Sequence, residues 1–193
     1  MAKDGWGVSR RPGGPSADVV PLSLIRTVPD FPKPGIRFRD ITPLLADAAG
    51  FRDVTHRLAE RYAGRVDKVA GIEARGFIFG AAIAQLLHAG FVPFRKPGKL
   101  PSRAIGHEYA LEYGTNRLEV HDDAVVRGER VLVIDDLLAT GGTAAAALTL
   151  LEQLGAEVVE CAFVIELVEL GGRRRLEERG HRIHALYALR EGD

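Results

Sequence analysis

The chain has 193 residues and a mass of 20.9 kDa, the size of one ordinary domain able to bury its own core. Its 26 Lys and Arg match 26 Asp and Glu, so no net field draws it to nucleic acid or a membrane, and 46% hydrophobic with 27% charged residues excludes a disordered or fibrous chain. A lone cysteine, Cys161, excludes an internal disulfide framework and a multi-cysteine zinc site; with no apolar N-terminal signal core, this sets the expectation of a cytoplasmic protein.

Residues 1–17 are dominated by Gly, Pro, Arg and Ser and read as a flexible tail, leaving 18–193 as a single domain. Asp18 is placed to cap a first helix carrying Val19, Leu22 and Ile25 and ending before Pro29. FPKPG, residues 31–35, forces an extended turn, because the residue before each proline is pushed out of the helical region; a short strand, IRFRD, follows. Thr42 then reads as a cap ahead of Pro43, with Phe51, Val54, Leu58 and Tyr62 on one face of the next helix.

KVAGI is expected as a buried strand, GFIFGAAIAQLLHA as a helix and FVPF as another strand. The uncharged stretch from Gly76 to Phe94 approaches the roughly 18 residues of a membrane span, but Gln85, His88, Gly90 and Pro93 interrupt it. Residues 97–106 read as an exposed mobile loop, and HEYALEY and NRLEV as a hairpin turning at Gly114 and Thr115. VLVIDD is a buried strand, TAAAALTLLEQL a helix closed by Gly155, and VVECAFVIEL a further strand. RRRLEERG and RIHALYAL close the chain as helix and strand, with His181 and His184 on opposite sides of that strand. Alternating strands and helices with one hairpin give an α/β fold with a mainly parallel sheet covered on both faces.

The chemistry concentrates in VLVIDDLLATGGT, residues 131–143. Its acids, Asp135 and Asp136, stand where a core strand emerges, and ligands of open parallel sheets bind beyond the strands' carboxyl ends. Ala139, Thr140, Gly141, Gly142 and Thr143 then enter a helix, and small residues there let backbone N–H groups approach a phosphate. Two carboxylates repel a naked polyanion but accept hydrogen bonds from vicinal hydroxyls, so the pattern suits a ribose 5-phosphate. Neither GxxxxGK[ST] nor GxGxxG is present, which removes the ATPase and dehydrogenase readings.

This run resembles the phosphoribosyl pyrophosphate motif of the type I phosphoribosyltransferases, and its DDLLATGGT form is similar to that of members acting on adenine. DFPKPGIRFRDITPLL (30–45), GIEARGFIFG (71–80), RKPGKLP (95–101), YALEYG (109–114) and LVELGGRRRL near 170 resemble the family in the same order. The resemblance implies a mainly parallel central sheet flanked by helices, a hairpin-bearing flexible loop and a small N-terminal hood.

It also implies roles. Glu73, Ala74, Arg75 and Gly76 match the pyrophosphate loop, which in the family often holds a cis peptide between non-proline residues. Arg95, Lys96 and Lys99 match the basic segment that reaches pyrophosphate, with Arg95 serving the neighbouring subunit of a homodimer. Glu112 supplies a proton to the purine and shares the catalysis with Arg75, while Tyr113 helps to close the loop. Ile36, Arg37, Phe38 and Arg39 recognise adenine, through backbone groups at Arg37. The implied reaction turns adenine and 5-phosphoribosyl 1-pyrophosphate (PRPP) into AMP and pyrophosphate, with Mg²⁺ carried mainly on substrate oxygens rather than in a protein metal site. The alternatives are another base, xanthine being nearest, or a regulatory protein that keeps the fold and binds nucleic acid; residues 1–17 are too few for the helix-turn-helix the latter adds.

Overall fold

The computed structural model describes residues 22–110 and 115–190, which form two compact units meeting in sequence at Gly50 and Phe51. Among these residues no helix is long and apolar enough to cross a membrane.

In the first unit, Asp18 and Val19 lie outside the described residues, and the described part of the helix expected up to Pro29 is a single 3-10 turn, Leu22–Leu24, and a strand, β1 (Arg26–Val28). The β-branched Thr27 and Val28 favour an extended chain, and β1 pairs antiparallel with β2 (Phe38–Asp40) in the register Thr27 to Arg39. Cross-strand side chains fix that register: Arg26 Nε donates to Asp40 Oδ2 at 3.0 Å, and Arg39 Nη1 to Thr27 Oγ1 at 2.6 Å. Thr42 is the first residue of α1 (Thr42–Ala46) and not its cap; Ile41 holds the cap position, and Asp40 before it accepts the Thr42 N–H at 2.8 Å. That bond and the Arg26 guanidinium hold the Asp40 carboxyl at about 2. The single helix expected here is two, because Asp47 is extended (φ −90°, ψ 112°) and its Oδ1 accepts the Gly50 N–H at the start of α2 (Ala48–Tyr62).

The second unit is built on five parallel strands. β3 (Lys68–Ile72), α3 (Arg75–Leu87) and β4 (Gly90–Phe94) form one crossover; β7 (Arg130–Leu138), α4 (Gly142–Leu154) and β8 (Glu157–Leu167) form another. α5 (Gly172–Glu177) leads to β9 (Ile183–Leu189), and the strand order is β4-β3-β7-β8-β9. Pro93 is tolerated because β4 is an edge. β5 (Ala104–Ala110) and β6 (Thr115–His121) pair antiparallel as a separate ribbon, so Ala104–Gly106 belong to a strand and not to the expected loop.

Alternation along the strands sorts the core. Ala70, Ile72, Val131, Val133, Cys161 and Phe163 pack with Ala144–Leu148 of α4. On the opposite face α3 lies close to β3: a methyl group at Gly80 would sit 3.3 Å from Gly71 Cα. Val54, Leu58 and Tyr62 of α2 are fully buried as their spacing requires, and α2 is tied to β8 by Tyr62, whose hydroxyl donates to Glu160 Oε2 at 2.7 Å. The sequence from β3 runs outward to β4, whereas that from β7 runs the other way to β8 and β9. The carboxyl ends of β3 and β7 therefore border the crevice where the strand order reverses, the usual ligand site of such sheets.

Candidate active site

Three segments converge on that crevice. The first follows β3: a cis peptide joins Glu73 to Ala74, and Arg75 opens α3. Gly76 is pressed so closely on β7 that a methyl group there would lie 2.8 Å from both Ile134 O and Asp135 Oδ1. This approach lets Arg75 Nε bond to Asp136 Oδ2.

The second segment is the end of β7. The strand continues past the two acids to Leu138, so they do not emerge from it, and both carboxylates meet the start of α3: Asp136 Oδ2 at Arg75 Nε, and Asp135 Oδ1 at the place where a methyl group on Gly76 would fall. Asp136 is 4% exposed and engaged by Arg75; Asp135 lines a pocket with Leu137, Leu138, Ala139, Thr140, Gly141, Gly142, Thr143, Ala144 and Phe163. Burial, reinforced by the adjacent Asp136 charge, pushes the Asp135 carboxyl well above the ordinary range, while the Asp136 N–H donates to its Oδ1 at 2.9 Å. Gly141 adopts φ +75° and starts α4 without a side-chain cap, so no cap occupies the N–H groups of the helix's first turn. Phosphate-sized anions are well served by such an end.

The third segment is the basic stretch after β4. It is anchored through Arg95, whose backbone exchanges two 2.8 Å hydrogen bonds with Glu119 of β6. Glu73 gathers it: Oε1 pairs with Lys99 Nζ, Oε2 accepts the Lys96 N–H at 3.0 Å, and Arg95 Nε lies 3.5 Å away as an ion pair. Burial opposes ionisation of Glu73, but Lys99, the Lys96 amide and Arg95 outweigh it and hold the carboxyl below its usual value. Arg95 Nε is buried and makes no hydrogen bond among the described residues.

Ile36, Arg37, Phe38 and Arg39 belong to the first unit. Ile36 and Arg37 are exposed, Phe38 is half-buried with the Phe31 ring edge-on at 5.1 Å, and Arg39 is buried against Thr27. Glu112 and Tyr113 lie outside the described residues. His181 precedes β9, with Nε2 3.0 Å from Glu152 Oε1, so it does not share the strand with His184 as expected; burial and the nearby Arg61 lower the His184 ring's proton affinity.

Two features escaped the sequence reading. Tyr109, on the hairpin, brings its hydroxyl 3.3 Å from Thr143 Oγ1, a contact foreshadowed only by the alternation that put it on one face. Glu73, expected in the pyrophosphate loop, also gathers Lys99 and the Lys96 amide, a contact that follows from topology and has no local signal.

A phosphoribosyl transferase domain is matched over residues 41–184. The chain is 59% identical over 172 residues to the adenine phosphoribosyltransferase of Methylobacillus flagellatus, covering 89% of this chain and 98% of the relative. The fold superposes on the crystal structure of adenine phosphoribosyltransferase from Thermoanaerobacter pseudethanolicus with a TM-score of 0.83 and 50% identity, over 86% of this chain and 96% of that one. It superposes on the Saccharomyces cerevisiae enzyme, solved with an imino-altritol bisphosphate and adenine, with a TM-score of 0.79 and 38% identity, over 85% and 94% of the two chains. The switch-point crevice, the small-residue loop into α4 and these similarities together assign the chain to the type I phosphoribosyltransferase family, among the adenine phosphoribosyltransferases.

Proposed function

We propose that the chain transfers the 5-phosphoribosyl group of PRPP to adenine, releasing AMP and pyrophosphate. The observation that carries this reading is the pocket formed by Ala139–Thr143 at the uncapped start of α4 with Asp135 in its wall. Backbone amides of that loop bind the 5-phosphate, and Asp135 with Asp136 accept the ribose hydroxyls. Arg75, Arg95, Lys96 and Lys99 receive the pyrophosphate, exchanging their contacts with Asp136 and Glu73 for the stronger charge of the leaving group.

In the reaction N9 of adenine bonds to C1′ as the bond from C1′ to the pyrophosphate oxygen breaks, with positive charge growing on the ribose ring. The cations stabilise the departing oxygen, and a carboxylate near the ring favours its charge. Glu112 exchanges the proton with the purine, and Tyr113 closes the loop that keeps water from the donor. Ile36–Arg39 take the base: a strand's C=O and N–H match the amino donor and N1 acceptor of adenine, whereas a 6-oxopurine offers the reverse and leaves buried groups unpaired.

Among the described residues no group of three or more His, Cys, Asp or Glu is placed to hold a metal. Asp135, in the pocket wall, is the residue that would hold a hydrated Mg²⁺ carried on substrate oxygens. That ion would supply charge neutralisation to the leaving group. We take residues 18–193 as one functional domain and the enzyme as a cytoplasmic homodimer, in keeping with its family, and sedimentation at working concentration tests the dimer. The activity itself is tested by incubating the protein with adenine, PRPP and Mg²⁺: AMP and pyrophosphate form in equal amounts, and pyrophosphate without AMP would contradict transfer.

A further inference from the structure

A second glycine-bearing turn presses against the back of the phosphate loop. Gly171 and Gly172 join the 3-10 turn Val168–Leu170 to α5. A methyl group at Gly172 would collide with the Ala139 carbonyl oxygen and sit 3.0 Å from Gly141 N, both backbone atoms that cannot swing aside as a side chain could. The approach is mutual, because a methyl group at Gly141 would lie 3.0 Å from Gly172 O. Arg173 fixes the turn in place. Its Nε donates to Glu166 Oε1 at 2.9 Å, its Nη2 to Oε2 at 2.5 Å, and its Nη1 to Ile183 O at 2.9 Å. Glu166 is 5% exposed near the end of β8, and Ile183 begins β9, so the sheet itself supports the contact.

We propose that Gly172 is a positioning residue for the ribose 5-phosphate site: its missing side chain lets the backbone of Ala139–Gly141 settle to the depth at which the loop amides face the pocket, and the Arg173–Glu166 bridge holds that backstop. The proposal rests on the reading of Ala139–Thr143 as the phosphate cradle. It predicts an effect confined to one substrate, since Gly172 bears on the loop and not on the base.

Steady-state kinetics and thermal melts of the wild type, Gly172→Ala, Gly171→Ala and Arg173→Lys test it. Gly171 has φ +68° and nothing within 4 Å of an added methyl group, so its variant strains the same turn without pushing the loop. Gly172→Ala is expected to raise KM for PRPP and Kd for ribose 5-phosphate about tenfold or more, leaving KM for adenine within about twofold. Gly171→Ala is expected to melt earlier with KM for PRPP unchanged. Should Gly172→Ala not fold, Arg173→Lys carries the test, because it keeps the charge, loses the planar fork and raises KM for PRPP with no added bulk. Unchanged KM for PRPP in a folded Gly172→Ala, or in Arg173→Lys where that variant alone folds, or an equal rise in Gly171→Ala, would overturn the positioning role. Failure of the wild type to use PRPP or to bind ribose 5-phosphate would overturn the cradle reading and this proposal with it.

Discussion

Asp136 and Arg75 form an ion pair that joins β7 to the first turn of α3 across the switch point of the sheet, between a carboxylate 6% exposed and a guanidinium 41% exposed. One partner is buried and the other half in water, so the pair is asymmetric: the carboxylate is committed to its place, whereas the guanidinium can turn to a stronger anion. This is the arrangement a pyrophosphate subsite needs before its ligand arrives.

Asp136→Asn keeps the shape and removes the charge. Because the Arg75 side chain is partly solvated, stability should fall by no more than about 1 kcal/mol. The value of kcat/KM for PRPP should fall by about tenfold or more. Melting curves beside initial rates separate the two, and a loss of stability with normal kinetics would make the pair merely structural.

Glu73→Gln tests the anchoring of the basic segment. With the carboxylate gone, Lys99 and Arg95 lose their common partner, and KM for PRPP should rise about three- to tenfold. Adenine KM should stay constant. A lowered KM for PRPP would instead mean that giving up Glu73 costs the cations more than its anchoring gains.

Gly76→Ala drives a methyl group into Ile134 O and Asp135 Oδ1. Overpacking of this kind costs about 1–3 kcal/mol, and the displaced Asp135 should lower kcat/KM as well. Denaturant melts and kinetics should move together; an unaltered Cm would contradict the close packing.

Tyr62→Phe removes the hydroxyl that donates to buried Glu160, a carboxylate that Arg61 also binds through Nε at 2.9 Å and Nη2 at 3.0 Å. A hydrogen bond to a charged group is worth about 1.5–3 kcal/mol, and stability should drop by that amount with turnover unchanged. Chemical denaturation measures it.

Asp67 gives a pH signature. Arg130 donates to it from its side chain and its backbone N–H, which lowers the carboxyl from 3.8 to about 2. A carboxyl lowered on folding stabilises the protein above its unfolded value and loses that contribution as pH falls through the folded value. The advantage of the wild type over Asp67→Asn should therefore be full at neutral pH and shrink as pH falls from 3.8 towards 2. An advantage independent of pH would contradict the charge pairing.

What could be read from the residues follows the strength of local periodicity. The buried strands KVAGI and VLVIDD and the helix after Gly141 carry continuous apolar runs, and each is found as the element expected, with β7 running two residues further to Leu138. Leu22 and Ile25 mimic helical spacing, yet Arg26–Val28 pair with a strand ten residues later, a non-local gain that local pattern does not carry. The break at Asp47 depends on one side chain accepting the Gly50 N–H in a stretch that otherwise looks continuously helical.

The site divides in the same way. Ala139–Thr143 stand out in the sequence as small residues before a helix, and they lead into α4 and line the pocket there. The pairing of Asp136 with Arg75 follows only once the start of α3 is known to press on β7 at Gly76. The gathering of Lys99 and Arg95 by Glu73, and the press of Gly172 on Ala139, join segments more than 20 residues apart in sequence, and only the sheet order brings them together.

The most direct test offers adenine, hypoxanthine, guanine, xanthine and orotate in turn with PRPP and Mg²⁺ and measures the nucleotide formed. Adenine should be converted to AMP in strong preference to the 6-oxopurines and orotate, because the backbone contacts proposed for Ile36–Arg39 match adenine and leave the others with unpaired groups. Turnover of xanthine without adenine, or of no base at all, would contradict the account.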